Sequence, residues 1–180
     1  MKILETHRLL LKSWSEDNLE DMYEYAKDPQ VGPMAGWKPH ESREETLEIL
    51  KHFSEGDEVW AVIYKENGKA IGSIGLHGDD KRGDTNCKML GYVLAREYWG
   101  KGLMTEAARR VIAYGFEEEK LELISCYHYP HNDKSKRVIE KCGFTYEGTL
   151  RKATKIYDGS IYDDCLYSIT KEEYYKVKHS

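Results

Sequence analysis

Residues 98–107 read YWGKGLMTEA, a glycine-rich turn followed by the start of a helical pattern. Gly100 and Gly102 flank Lys101. The first N–H groups of a helix have no partner within the helix, and the helix dipole places partial positive charge there. Glycine also allows a diphosphate to approach the backbone without meeting a Cβ atom. The stretch therefore predicts an anion site at a strand-to-helix turn.

The spacing of the turn does not fit two common phosphate-binding motifs. A Walker loop needs Ser or Thr after its Gly-Lys pair, but Gly102 follows Lys101. A dinucleotide fingerprint needs a third glycine where this chain has Thr105. On spacing alone, an ordinary glycine-containing turn without a ligand is slightly favoured.

Strand and helix signals alternate on the N-terminal side of the turn. RLLLKSW reads as a first strand, and Ser15 as the cap of a helix through Ala26, with Leu19, Met22, Tyr23 and Ala26 on its inner face. A capping box of Ser42 and Glu45 starts a second helix. VWAVIYK and AIGSIGLHG form a predicted hairpin around Asn67-Gly68, and CKMLGYVLA is the strand before the turn.

The C-terminal side continues the alternation. The helix after the turn carries its apolar residues at helical spacing, namely Ala108, Val111, Ile112, Gly115 and Phe116. LISCYHY is a predicted buried strand, NDKSKRVIEKCGF a short helix that ends at Gly143, and residues 152–170 a hairpin around Asp158-Gly159. We expect a mixed α/β (α+β) fold in a single domain over residues 1–180.

Composition narrows the functional classes. The chain has 180 residues, a formal charge of -5 and no long basic run, which argues against a nucleic-acid partner. Its four cysteines form no Cys-x-x-Cys pair, so we expect reduced thiols and no metal site. Without a signal-peptide segment or a membrane span, we expect a cytoplasmic protein that does not enter a membrane.

Four segments in order resemble the GNAT superfamily of acyl-CoA-dependent N-acetyltransferases, and within it the branch of ribosomal-protein N-terminal acetyltransferases (RimJ/RimL type). They are ETHRLLLKSW, GYVLAREYWGKGLMTEA, NDKSKRVIEKCGFTYEGTLRK and DGSIYDDCLYSIT. The resemblance implies a GNAT-like domain whose central, mostly antiparallel sheet splays at the coenzyme strand and is flanked by helices.

The resemblance also implies acetyl-CoA as cosubstrate. The backbone of Val93 and Leu94 would pair with the pantetheine arm, as an added strand does. The N–H groups that would face the pyrophosphate belong to Trp99, Gly100, Lys101, Gly102 and Leu103, and Thr105 would add a hydroxyl. Glu97 departs from the Gln or Arg often found at its position, so we expect it to point to solvent.

For catalysis, the resemblance implies direct attack of an amine on the thioester. Asn132 would contact the pantetheine or an ordered water, or it simply caps its helix. Ser135 would protonate the departing thiolate. The chain has Met89 where relatives often carry a glutamate base. Candidates for the missing base are His77, His128 and Asp163, each of which also has an ordinary structural explanation.

Three functional readings follow. The first is an N-acetyltransferase that acts on a peptide N-terminus or a small-molecule amine. The second is an acetyl-CoA-binding sensor without turnover, and the third is a purely structural module. The acceptor site would form from residues 28–42 and the closing hairpin, with Tyr127 and Tyr129 either lining its pocket or filling the core. We expect a monomer or a homodimer.

Overall fold

A computed structural model describes residues 1–83 and 85–180. Within that part of the chain, the strands and α-helices follow one another as β1 Leu4–Glu5, β2 Leu9–Lys12, α1 Leu19–Ala26, α2 Arg43–Glu55, β3 Val59–Tyr64, β4 Ala70–Gly78, β5 Cys87–Leu94, α3 Leu103–Glu117, β6 Leu123–His128, α4 Asp133–Lys141, β7 Thr145–Lys155, β8 Ile161–Thr170 and α5 Lys171–Lys178. The chain divides into two compact units, residues 1–75 with 92–110 and residues 76–91 with 111–180.

The first unit contains a meander of β1, β2, β3 and the first part of β4, with the last residues of β5 beside β4. β3 reads VWAVIY and buries all but its last residue, as expected of a strand covered on both faces. The predicted hairpin turn is present, because Gly68 takes a φ of 74° and its N–H donates to the Tyr64 carbonyl at 2.8 Å. The unit also holds α1, α2 and the start of α3.

The second unit orders its strands β4-β5-β6-β8-β7. β6, β8 and β7 run antiparallel, whereas β5 runs parallel to β6 over three residue pairs that end at Met89 and Ser125. Gly159, with a φ of 88°, forms the turn of the closing hairpin. The helix α4 ends at Lys141 with Cys142 as its cap, and the predicted stop residue Gly143 follows with a φ of 84°.

The mixed α/β class and the mostly antiparallel sheet are confirmed. Since the parallel pairing of β5 with β6 ends at Met89, the predicted splay at the coenzyme strand is confirmed as well. The apolar stripe of α3 is buried at every predicted position. The single domain over residues 1–180 stays a prediction.

Three local expectations need correction. The α1 helix buries Met22, Tyr25 and Ala26, so Tyr25 replaces Tyr23 on the inner face, while the Tyr23 ring lies under the Lys27 and Arg43 cations. At α2 the Ser42 side chain caps the Glu45 N–H, but the Glu45 carboxylate accepts from the Glu41 N–H instead of completing the box. The short strand β1 and the C-terminal helix α5 were not predicted.

Within the described residues, no helix combines the length and the apolar character that crossing a membrane requires.

Candidate active site

The glycine turn has the backbone that an anion site requires. Gly100 and Gly102 take φ values of 76° and 74°, in the left-handed region that favours glycine. A Cβ on Gly100 would meet no atom within 4 Å, so this side of the turn is open. α3 begins at Leu103, and its Glu106 N–H donates to the Gly102 carbonyl at 3.1 Å. The earlier N–H groups of α3 have no intrahelical acceptor.

One predicted donor is already used inside the turn. The Trp99 N–H donates to the Arg96 carbonyl at 3.1 Å. The proposed pyrophosphate donors therefore reduce to four backbone groups, those of Gly100, Lys101, Gly102 and Leu103. Thr105, in the first turn of α3, is buried.

Arg8 braces this turn, a role that the sequence did not reveal. Its Nη1 donates to the Lys101 carbonyl at 2.9 Å, and its Nε donates to Glu106 Oε2 at 2.7 Å. The other carboxylate oxygen of Glu106 accepts from the Arg8 N–H and from the Thr6 hydroxyl. Burial favours the neutral carboxyl, but the hydrogen bonds from Thr6 and Arg8 outweigh it and hold the pKa of Glu106 below its usual range. A cation thus lies beside the turn without a local sequence signal, since 98 residues separate Arg8 from Glu106.

Three other charged side chains lie near the turn, and they differ in exposure and in ion pairing. Lys101 is exposed and places Nζ 5.2 Å from the centre of the Tyr98 ring. Arg96 is paired with Asp28 at 2.9 Å. Glu97 is exposed, in keeping with the expectation that it points to solvent.

The end of β5 offers a strand edge next to the turn. A Cβ on Gly72 of β4 would lie 2.2 Å from the Val93 carbonyl oxygen, so Val93 directs that oxygen towards β4. The Ala95 N–H also points to β4, since it donates to the Ile71 carbonyl at 2.7 Å. Because backbone groups alternate along a strand, Leu94 points its N–H away from β4. The Leu94 carbonyl accepts from the Trp99 indole at 2.8 Å, which joins this edge to the turn.

In the second unit, Asn132 caps α4. Its Oδ1 accepts from the Ser135 N–H at 3.1 Å, which confirms the capping interpretation. The bond uses the backbone of Ser135, whose half-buried hydroxyl lies one turn into the helix. Contact of either residue with a coenzyme stays a prediction.

The three candidates for the base do not lie together. The His77 ring lies on the face of β5 that carries Met89, because its Nε2 would be 3.2 Å from a Cβ on Gly91, two residues further along the strand. Ser125 pairs with Met89 and shares this face, so His128, three residues later on β6, lies on the opposite face.

His128 and Asp163 have structural partners. The buried His128 ring places Nδ1 2.7 Å from the Tyr129 carbonyl and Nε2 3.5 Å from the Tyr167 hydroxyl. Asp163 accepts from the Lys152 N–H at 2.8 Å, where Lys152 takes a φ of 49° in a bulged part of β7. His77 is therefore the candidate that shares the face of Met89.

The carboxylate next to Asp163 in sequence, that of Asp164, was not predicted as a site residue. Asp164 is completely buried and accepts from the Thr154 hydroxyl, 3.0 Å from each of its oxygens. Lys81 Nζ lies 3.8 Å from Asp164 Oδ2 and 4.3 Å from the centre of the Tyr127 ring. Burial raises the pKa of Asp164 above its usual range. Burial, with a smaller contribution from the Asp164 charge, raises the pKa of Tyr127 to about 12.

The chain is similar in sequence to known acetyltransferases. The family model described as "Acetyltransferase (GNAT) domain" matches residues 8–145. The uncharacterized N-acetyltransferase p20 of Bacillus licheniformis is 28% identical over 179 residues, which cover 97% of this chain and 99% of that protein. The [ribosomal protein uS5]-alanine N-acetyltransferase of Escherichia coli is 27% identical over 141 residues, which cover 78% of this chain and 69% of that protein.

A solved structure supports the same assignment. The crystal structure of an acetyltransferase of the GNAT family from Bacillus anthracis superposes with a TM-score of 0.86 at 27% identity. The match covers 96% of this chain and 100% of that chain.

Proposed function

This chain belongs to the GNAT family of acetyltransferases, and on that premise we propose that it moves the acetyl group of acetyl-CoA to a primary amine of a peptide N-terminus or a small molecule. The family membership makes it an acetyl-CoA-dependent acyltransferase. The nature of the acceptor is our proposal.

The turn at Gly100–Gly102 is the observation that carries the proposal. Two glycines with positive φ, an open space beside Gly100 and the N-terminus of a 15-residue helix fit a diphosphate. Arg8, held on the Lys101 carbonyl, and the exposed Lys101 supply positive charge. Leu94, whose N–H points away from β4, suits the pairing with the pantetheine amide groups.

In the proposed reaction, side chains are needed only to transfer protons. The neutral amine attacks the thioester carbonyl and the C–N bond forms. As the C–S bond breaks, the thiolate takes a proton from Ser135, and the attacking nitrogen, which still carries one proton too many, returns that proton to Ser135 through water. Backbone N–H groups at the end of β5 stabilise the oxyanion that develops. His77 takes the proton of the substrate ammonium, directly or through water, since its ring shares the face of Met89.

Peptide α-amines are the favoured acceptors. Their pKa is about 7.7–8.0, whereas that of a lysine-like alkylamine is about 10.4, so more of the α-amine is neutral near pH 7. The Escherichia coli relative is named as an N-acetyltransferase of an alanine of ribosomal protein uS5, which is a reaction of this kind. That relative supports the acceptor class and not the particular protein.

We also propose a single catalytic domain over residues 1–180, a cytoplasmic location and a monomeric or homodimeric state. The described part of the chain forms no disulfide among its four cysteines, which suits a reducing compartment. Acetyl-CoA as a cosubstrate suits the same location.

The proposed function is tested by measuring thiol release from acetyl-CoA with a panel of amines, namely peptides that begin with alanine or serine, spermidine and an aminoglycoside. We expect turnover with at least one amine and the highest kcat/KM with a peptide. Binding of acetyl-CoA in calorimetry without turnover on any amine would support the sensor instead. Absence of coenzyme binding would contradict both readings.

A further inference from the structure

The buried carboxylate of Asp164 has few hydrogen-bond partners for its charge. A carboxylate offers about four acceptor sites, and a buried one normally fills them, because an unpaired charge in the interior is costly. Thr154 carries one hydroxyl hydrogen, so it donates to one oxygen of Asp164 at a time. The Lys81 ammonium, at 3.8 Å, lies beyond hydrogen-bond distance. The described contacts thus leave Asp164 able to accept further donors.

Asp164 lies on the face of the second unit that carries Met89 and the His77 ring. The register of β6 and β8 pairs Tyr127 with Leu166, and Asp164 lies two residues before Leu166 on the same face of β8. Directly opposed residues point to the same face, and Tyr129 shares the face of Tyr127 and Ser125. Met89 pairs with Ser125 and so belongs to this face. Tyr127, which lies on this face, belongs to the part of β6 beyond the last residue pair with β5.

We propose that Asp164 binds the ammonium group of the acceptor amine and that Lys81 occupies this site until the acceptor displaces it. The inference rests on the proposed function and specifies how its acceptor is recognised. It makes the acceptor a primary amine that arrives as a cation, with the ammonium group against Asp164 and the face of Tyr127.

Lys81 shows how such a cation is held. Its ammonium lies above the Tyr127 ring, the geometry of a cation–π contact, and within ion-pair distance of Asp164. A lysine side chain ends in a primary ammonium, the same group that the acceptor presents. The Lys81 side chain is 25% exposed, so it can leave towards water.

Neighbouring aromatic rings continue the wall of this site. The Tyr129 and Tyr162 ring centres are 5.1 Å apart, and the His131 and Tyr162 ring centres 4.8 Å. Flat aromatic faces suit the carbon chain that follows the ammonium of an acceptor. A neutral group of the same size would gain the packing but not the attraction to Asp164.

The experiment uses n-propylammonium as probe and n-propanol as its neutral counterpart. Lysine side chains are labelled at Cε, and the NMR signal of Lys81 is assigned by its loss in Lys81→Met. Titration with n-propylammonium should shift the Lys81 signal, whereas n-propanol should leave it in place. An unmoved Lys81 signal at saturating n-propylammonium would overturn the proposal, and this test needs no substitution of Asp164.

A second experiment compares the KM for the amine and the dissociation constant of acetyl-CoA among three variants. Asp164→Asn should raise the KM for the amine by about tenfold or more, the value of a charge-assisted hydrogen bond, with little change in the dissociation constant of acetyl-CoA. Lys81→Met should lower the KM for the amine because the internal competitor is gone. Glu172→Gln, which removes an exposed carboxylate charge of α5, should leave both constants unchanged.

The outcomes separate the two proposals. An amine KM within twofold of the wild-type value in a folded Asp164→Asn variant, with acetyl-CoA still bound and consumed, would overturn the role of Asp164 and leave the proposed function intact. Failure of the wild-type protein to bind acetyl-CoA or to acetylate any amine would overturn the proposed function itself.

Discussion

Gly102 gives the proposed coenzyme turn its left-handed backbone conformation. Its φ of 74° is a conformation that residues with a Cβ adopt at a cost of about 1–2 kcal/mol. A Cβ at this position would lie 3.7 Å from Arg8 Nη2, which is ordinary contact, so there is room for a side chain. The effect of a substitution here therefore combines backbone strain with whatever the side chain does to a bound anion.

Gly102→Asp should weaken acetyl-CoA binding by about tenfold or more, because it adds a negative charge beside the proposed diphosphate. Titration calorimetry measures the dissociation constant. Gly159→Asp is the matched control, since Gly159 has a φ of 88° and open space around it at the tip of the closing hairpin. Equal affinities of the wild-type protein and Gly102→Asp for acetyl-CoA would show that the diphosphate does not bind at this turn.

At the scale of elements, the cap of helix α4 uses the backbone of Ser135 and leaves the Ser135 hydroxyl available for the proposed catalytic role. The cap of α4 joins Asn132 Oδ1 to the backbone N–H of Ser135, so the Ser135 hydroxyl takes no part in that bond. At α5, in contrast, the Thr170 hydroxyl itself accepts from the Glu173 N–H at 3.2 Å. The two hydroxyls thus differ in what their removal does to a helix.

Ser135→Ala should lower kcat with little change in the KM for acetyl-CoA or in thermal stability, if the hydroxyl protonates the thiolate. Steady-state kinetics and a thermal melt measure the three quantities. Thr170→Val should instead cost about 1 kcal/mol of stability and leave kcat unchanged. A Ser135→Ala variant as fast as the wild type would assign the leaving-group proton to another donor.

At the scale of the whole molecule, the buried carboxylate of Asp164 links stability to pH. Burial raises its pKa, and the hydrogen bond from Thr154 and the charge of Lys81 offset this only in part, while the Asp163 charge adds to it. Tyr127 and Tyr129 face the same group and stay neutral, because burial raises the pKa of each. A carboxyl with a raised folded pKa contributes its full stability below its unfolded pKa of about 3.9 and loses it as the pH rises.

Asp164→Asn should therefore gain stability relative to the wild type as the pH rises from about 4 to 7. Urea unfolding at pH 4, 5.5 and 7 measures the difference in the free energy of unfolding, and the variant should be no less stable than the wild type at pH 7. A difference that moves the other way, with the variant losing stability towards pH 7, would show that the pair with Lys81 outweighs the burial of the charge.

Much of the candidate site was predictable because its signals are local. The glycine turn, the cap at Asn132 and the hairpins at Gly68 and Gly159 depend on residues within a few positions of each other, and the structure forms each of them. The tyrosine that α1 buries was predicted wrongly, because Tyr23 and Tyr25 lie equally close to the stripe of Met22 and Ala26 and helical spacing does not choose between them.

The sequence by itself determined the family, the order of the elements from β2 to β8 and the backbone of the glycine turn, because periodicity, caps and turn residues act over short distances along the chain. Only the tertiary structure decided that Arg8 braces that turn through Glu106, since the partners lie far apart in sequence. It also decided between Asp163 and Asp164. Adjacent residues of a strand point to opposite faces, so the two carboxylates look alike in sequence until the register of β8 against β6 buries Asp164 beside Lys81 and leaves Asp163 to the backbone of Lys152.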